Sequence, residues 1–248
     1  MAAPVARVLL GVSCVLALAA CSGAPAGDAP ILLYDGDGAS ESDVRAIEAL
    51  LDREHLRYDT IGSAALDAMP EPRLRTHRLL IVGGGDFTAM GRSLGDAGAA
   101  RIHGAVEAGL GYLGICAGAF LAGHFPSPYR GLDLASGAQF HFFAAESRGV
   151  RRDAVPISRP GAPPLEQYWE DGPELSAWGS AIGRYPDGTA AIVQGPSGRG
   201  WVVLSGVHPE APQAWRHGLS FSTPTADDEA YAITLIRAAL DHRELPTF

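Results

Sequence analysis

Four times between residues 31 and 122 a short apolar run gives way to residues at helical spacing, and this alternation limits the fold more than any other feature. Ile31-Leu32-Leu33-Tyr34 is bounded by Pro30 and Asp35-Gly36, a buried-strand signature. Ser40 is placed to cap the helix that follows, with Asp43 in its first turn, and Val44, Ile47, Leu50 and Leu51 recur along one face. Residues 57–61 and 78–82 read as two further strands, the second ending abruptly in Gly83-Gly84-Gly85. Residues 99–108 form a helix with Ile102 and Val106 four apart; 110–115 is a strand, and 117–122 opens another helix. The expectation is an α/β domain whose mostly parallel sheet is covered by helices on both faces. From about Gln139 shorter strands are expected at 179–185, 190–194 and 201–205, separated by Pro186-Asp187-Gly188 and Pro196-Ser197-Gly198. They read as an antiparallel meander that extends the sheet. A last helix over 227–242 buries Tyr231, Leu235, Ala238 and Ala239, and one domain spans residues 31–248 without internal repeat.

Composition removes several function classes. With 47% apolar and 19% charged residues the chain is globular, neither disordered nor a multi-span membrane protein. A formal charge of −9 with no basic stripe excludes nucleic acid as a partner. All 19 basic residues are Arg; without Lys there is no Schiff-base chemistry and no phosphate-binding lysine loop.

Residues 1–20 read as an export signal. Arg7 precedes an apolar run from Val8 to Ala20, too short to span a bilayer. The run ends Leu18-Ala19-Ala20-Cys21, which resembles the bacterial lipobox. That resemblance implies cleavage before Cys21, a diacylglycerol on its sulfur, and a protein held at the membrane of the bacterial cell envelope on the extracytoplasmic side. Residues 21–30 are then anchor and tether. Of the three cysteines, Cys14 and Cys21 lie in this segment, leaving Cys116 as the sole thiol of the folded body.

Cys116 sits in Gly114-Ile115-Cys116-Ala117-Gly118, a Gly-x-Cys-x-Gly sequence between strand and helix. This is the nucleophile-elbow arrangement with cysteine in the serine position. The turn carries the sulfur above the carboxyl edge of the sheet and sets it at a helix N-terminus, which favours thiolate. Downstream, Val207-His208-Pro209-Glu210 puts His208 and Glu210 two apart on an extended chain, so both side chains point the same way. A carboxylate there can hold one imidazole nitrogen and leave the other to take a proton from a thiol. No zinc site is expected, because the Pro-Cys-x-x-Cys partner of the His-x-Glu deaminase signature is missing.

Gly-Ile-Cys-Ala-Gly, His-Pro-Glu and the glycine loop ending in Asp86 resemble the class I glutamine amidotransferase-like superfamily, whose fold is flavodoxin-like. Within it, Gly-x-Cys-Ala-Gly-Ala followed by Phe120, and the segment from Gln167 to Pro173, resemble the N-terminal domain family of biotin–protein ligases in its free-standing bacterial form. The resemblance implies Cys116 as nucleophile, His208 as base and acid, and Glu210 as its orienting partner. It implies an oxyanion hole from the Ala117 amide and from the loop Gly83, Gly84 and Gly85, with Gly84 favoured. Asp86, Tyr168 and Trp169 are expected to border the ligand. The chain is not a biotin ligase: the lysine of adenylation is missing, and Gly198-Arg199-Gly200 reads as a hairpin turn.

One position departs from the pattern. Glutamine-hydrolysing members carry a glutamine four residues after the cysteine, where this chain has Phe120. The expected partner is a small-molecule or peptide amide other than free glutamine, hydrolysed without cofactor or metal. The alternatives are a silent module on the same fold that binds a small ligand or peptide, and a redox or aldehyde-handling protein. The last is disfavoured because Ala117, not histidine, follows the cysteine.

Overall fold

The computed structural model describes Met1 and residues 29–125, 130–144 and 151–248. The expected export segment and nearly all of the expected tether, Cys21 included, lie outside the described residues. Ala29 and Pro30 already belong to the fold: Ala29 is buried, its N–H donates to Asp59 Oδ2, and the Pro30 carbonyl accepts from Arg78. Among the described residues no helix is long and apolar enough to cross a membrane.

Four strands, β1 (Ile31–Tyr34), β2 (Tyr58–Ile61), β3 (Leu79–Val82) and β4 (Gly111–Ile115), lie parallel in the order β2-β1-β3-β4. The helices α1 (Glu41–Arg53), α2 (Ser63–Ala68), α3 (Glu71–Leu74), α4 (Phe87–Ser93), α5 (Asp96–Glu107) and α6 (Ala117–Leu121) connect or follow them. Next to β4 comes β11 (Gly200–Ser205), also parallel. β1 and β3 are buried on both faces, which is why they read as unbroken apolar runs. Period-2 alternation divides these residues between two cores. Ile31, Leu33, Leu79 and Ile81 pack with α1 and the final helix α7 (Thr225–Leu240), while Leu32, Leu80 and Tyr112 pack with α5 on the other face.

Beyond β11 the sheet turns antiparallel through β10 (Ala190–Ser197), β9 (Ser180–Arg184), β6 (Arg152–Arg159) and β7 (Ala162–Glu170), giving nine strands. The meander is therefore present, and Gly198-Arg199 is the turn of its β10–β11 hairpin. Sequence reasoning missed the long β6–β7 hairpin. Pro156, Pro163 and Pro164 argue against a strand, but Pro163 and Pro164 lie on β7, the sheet edge, where prolines are tolerated, and β6 meets β9 only at Ser158, leaving Pro156 outside that pairing. A small pair, β5 (His141–Phe142) with β8 (Pro173–Glu174), lies apart from the main sheet.

Candidate active site

Three adjacent parallel strands deliver their carboxyl ends to one place: β3 the glycine loop, β4 Cys116, and β11, three residues on, His208. Cys116 takes φ 50° and ψ −104°, a conformation strained for a residue with a side chain. The surroundings fix it. The Cys116 N–H donates to the Ser205 carbonyl at 2.7 Å, the Gly118 N–H to the Gly83 carbonyl at 3.0 Å, and the Tyr112 hydroxyl to the Gly118 carbonyl at 2.7 Å. Both elbow glycines are needed for close approach. A Cβ on Gly118 would stand 2.0 Å from the Val82 carbonyl oxygen, and one on Gly114 would stand 2.4 Å from that of Gly118.

The amides on either side of Ala117 are thus occupied, while the Ala117 N–H has no acceptor among the described residues, and Ala117 borders a cavity of about 720 Å³. In the glycine loop the favoured register changes. Gly84 gives its N–H to Asp43 Oδ1 at 3.1 Å, and Gly83 serves the elbow, so neither borders the cavity. Gly85 does. The β-bridge between Ala39 and Gly85 is closed by Ser40 N–H to the Gly84 carbonyl and Asp86 N–H to the Gly38 carbonyl. The Gly85 N–H is left outside it, with no acceptor among the described residues. Its φ is +139°, and a Cβ there would stand 2.0 Å from the Gly38 carbonyl oxygen, so only glycine fits.

His208 is buried, with its N–H bonded to the Tyr168 carbonyl at 2.8 Å. Its Nδ1 lies 2.8 Å from Glu210 Oε1, as expected, and also 3.2 Å from Asp43 Oδ1. Asp43 is the residue that sequence reasoning missed. It stands at the third position of α1, where a carboxylate after Ser40 is fully accounted for as a helix cap. Ser40 Oγ does accept from the Asp43 N–H, at 3.4 Å, but the carboxylate turns inward to the imidazole and to Gly84. One oxygen so joins the glycine loop to the histidine.

The electrostatics follow from burial and these contacts. Burial alone would depress the His208 pKa, but the Glu210 carboxylate, the Cys116 sulfur and the Asp43 hydrogen bond outweigh it and hold the imidazole well above its ordinary value. Burial pushes Asp43 up, yet bonds from His208, Ser40 and Gly84 leave it below the usual carboxylate range. The buried Glu210 is raised, chiefly by desolvation, with the His208 charge opposing. The two carboxylates therefore favour the protonated form of His208. Asp43, His208 and Glu210 form a group with ligand atoms within 4.8 Å of one another, which a metal could use. Here Nδ1 engages both carboxylates and Gly84 takes Asp43 Oδ1, so these atoms already serve one another.

The cavity walls correct one further expectation. Tyr168 borders the cavity; its hydroxyl donates to Glu170 Oε2 at 2.5 Å, and its pKa is pushed up to about 12 by burial and by that carboxylate. Trp169 does not. Along β7 successive side chains face opposite ways, so Trp169 points into the core, its indole N–H on the Gly172 carbonyl at 3.2 Å and its ring edge-on to Phe143. The indole that reaches the cavity is Trp215, packed against Tyr168 and His208 at 5.5 and 5.7 Å between ring centres. Asp86 is present on the wall, with Oδ1 capping α4 through the Thr88 and Ala89 amides. Phe120 stacks on Phe87 at 4.7 Å and meets Phe142 at 4.8 Å. Finally, the Cys116 thiol approaches the Glu170 carbonyl at 3.5 Å.

Among solved structures, a glutamine amidotransferase is 20% identical, with a TM-score of 0.61 over 84% of this chain and 98% of that one. A cytoplasmic protein from Salmonella typhimurium LT2 is 13% identical, with a TM-score of 0.55 over 87% and 100%. A β-galactosidase from Halorubrum lacusprofundi gives 16% and 0.51 over 86% of this chain but only 30% of its own. At these identities the likeness is one of fold. No curated protein matches the chain. The family model described as "Biotin-protein ligase, N terminal" matches residues 29–153, which hold the glycine loop and the elbow and stop short of His208. A match over half of the chain, on a glutamine amidotransferase-like α/β fold, makes this protein a member of the biotin–protein ligase N-terminal domain family.

Proposed function

We propose that this protein is a cysteine amide hydrolase of the bacterial cell envelope, held to the membrane by lipid on Cys21. The observation that carries the reading is the joint placement of a strained Cys116, an imidazole gripped by two buried carboxylates, and two unclaimed amides on one cavity. In the reaction Cys116 Sγ attacks the amide carbon, and the carbonyl oxygen becomes an oxyanion facing the Gly85 and Ala117 N–H groups. The C–N bond breaks as His208 passes a proton to the departing amine, leaving a thioester. Water then attacks the thioester, His208 takes its proton, and the C–S bond breaks to release a carboxylic acid and restore the thiolate. Glu210 and Asp43 act through His208 as positioning residues. Their charges keep Nδ1 protonated and aim the other nitrogen at the sulfur.

Free L-glutamine is a poor substrate in this reading, because Phe120 offers its amide and α-carboxylate no hydrogen bond. The direct test is intact-protein mass spectrometry after exposure to a library of activated amides. An acyl adduct on Cys116, lost in Cys116→Ala, is expected. A folded protein that binds library members without any adduct would favour the silent binding module instead. For the anchor, metabolic labelling with a clickable fatty acid should mark the wild type and not Cys21→Ala; equal labelling of both would remove the lipoprotein reading.

A further inference from the structure

We infer that the amide this site cleaves follows an amino-terminal residue with a bulky apolar side chain, so that its acyl half is an aromatic or branched aminoacyl group with a free ammonium. The inference rests on the hydrolase reading above and adds the chemistry of the acyl half. Three observations concern the cavity that Cys116 borders.

The first is the phenylalanine wall. Phe120 lies one helical turn beyond Cys116, so both side chains reach the same space. Phe87 stacks on its ring and Phe142 packs against it at a tilt of 57°. Phe142 is 39% exposed, unusual for a phenylalanine, and borders the cavity. An apolar side chain laid against these rings would gain roughly 25 cal/mol for each Å² removed from water. A carboxamide or carboxylate there would lose its hydrogen bonds to water.

The second is the Glu170 carbonyl oxygen, 3.5 Å from the sulfur. It is an acceptor beside the atom that bonds the acyl carbon, so it suits an N–H donor two bonds beyond that carbon, where an α-ammonium sits. The third is the charge of the same rim. Asp86, Glu170 and Asp171 border the cavity, with Arg152 as the one guanidinium on its wall among the described residues. Arg152 is the cross-strand partner of Glu170, and its guanidinium opposes the rise in the Tyr168 pKa. The Asp171 carboxylate has no partner among the described residues, and its backbone holds φ 44°, a left-handed conformation that Asp and Asn tolerate best. A cation is welcome here, and an acyl group bearing a carboxylate is repelled.

The test uses the purified body and two kinds of probe that alkylate Cys116. Iodoacetamide, too small to reach the walls, reports thiol activation. Chloromethyl ketones, whose methylene carbon bonds Sγ as chloride departs, report the subsite: phenylalanyl with a free ammonium, N-acetyl-phenylalanyl, and aspartyl. Each rate is divided by that for glutathione. The expectation is an activated iodoacetamide rate, with the free phenylalanyl ketone at least tenfold faster than the other two. Asp171→Asn should narrow the gap to the N-acetyl form, and Phe142→Ala the gap to the aspartyl form, each by a factor of three or more. Equal rates for the three ketones on an activated thiol, or preference for the N-acetyl form, would overturn the inference and leave the hydrolase reading standing. An iodoacetamide rate no higher than that of glutathione would remove both.

Discussion

The parallel and antiparallel halves of the sheet meet at β11, and they contribute different things to the cavity. On the parallel side the strand ends and the helix that follows supply an elbow cysteine, a glycine amide, and a carboxylate at the start of α1. On the antiparallel side the hairpin brings side chains that shape the walls, Tyr168, Glu170 and Arg152. His208 stands at the seam, following a parallel strand while bridged to β7 through Tyr168. The difference teaches that a parallel edge, where several strands stop together beside helix N-termini, can concentrate backbone amides and a nucleophile. An antiparallel hairpin, passing the same point with alternate side chains, is suited to tuning what binds.

If this division holds, substitutions on the parallel edge lower kcat and those on the hairpin raise KM. Cys116→Ala should give the largest effect, complete loss of turnover and of adduct; residual turnover would move the nucleophile elsewhere. Close behind, His208→Ala should cost about 10²–10⁴-fold in kcat, the range for general acid–base catalysis. A change confined to KM would place His208 with the walls instead. Gly85→Ala meets both a forbidden φ and the Gly38 carbonyl, so it should lower stability by more than about 2 kcal/mol, measurable as a fall in urea midpoint.

Asp43→Asn sharpens the comparison through pH. Removing a carboxylate beside the imidazole disfavours its protonated form, so the His208 pKa must fall. The alkaline limb of the rate profile, where the leaving group loses its proton donor, should therefore move to lower pH, with kcat reduced about tenfold as the amine loses a fixed donor. An unmoved limb would reduce Asp43 to a support for the Gly84 amide. The smallest effect is expected from Tyr168→Phe on the hairpin. Losing the bond to Glu170 should raise KM a few-fold with kcat nearly constant, since a single hydrogen bond is worth about 1 kcal/mol.

The sequence by itself determined the parallel half and the local chemistry within it. Runs such as Leu79–Val82 are apolar because they are buried on both faces, and glycines flank Cys116 because backbone carbonyls lie where a Cβ would go. His208 and Glu210 were legible as a pair because extended geometry sets residues two apart on one side. Only the tertiary structure decided the rest. The β6–β7 hairpin was hidden by prolines that an edge strand can bear, and the facing of Tyr168 rather than Trp169 depends on strand register. Which glycine amide stays free depends on Asp43 taking the Gly84 N–H. Asp43 itself looks like a helix cap until the segment after β11 brings His208 to the start of α1. A carboxylate at that position satisfies every local rule, and its inward turn exists only because a histidine 165 positions away offers a second donor.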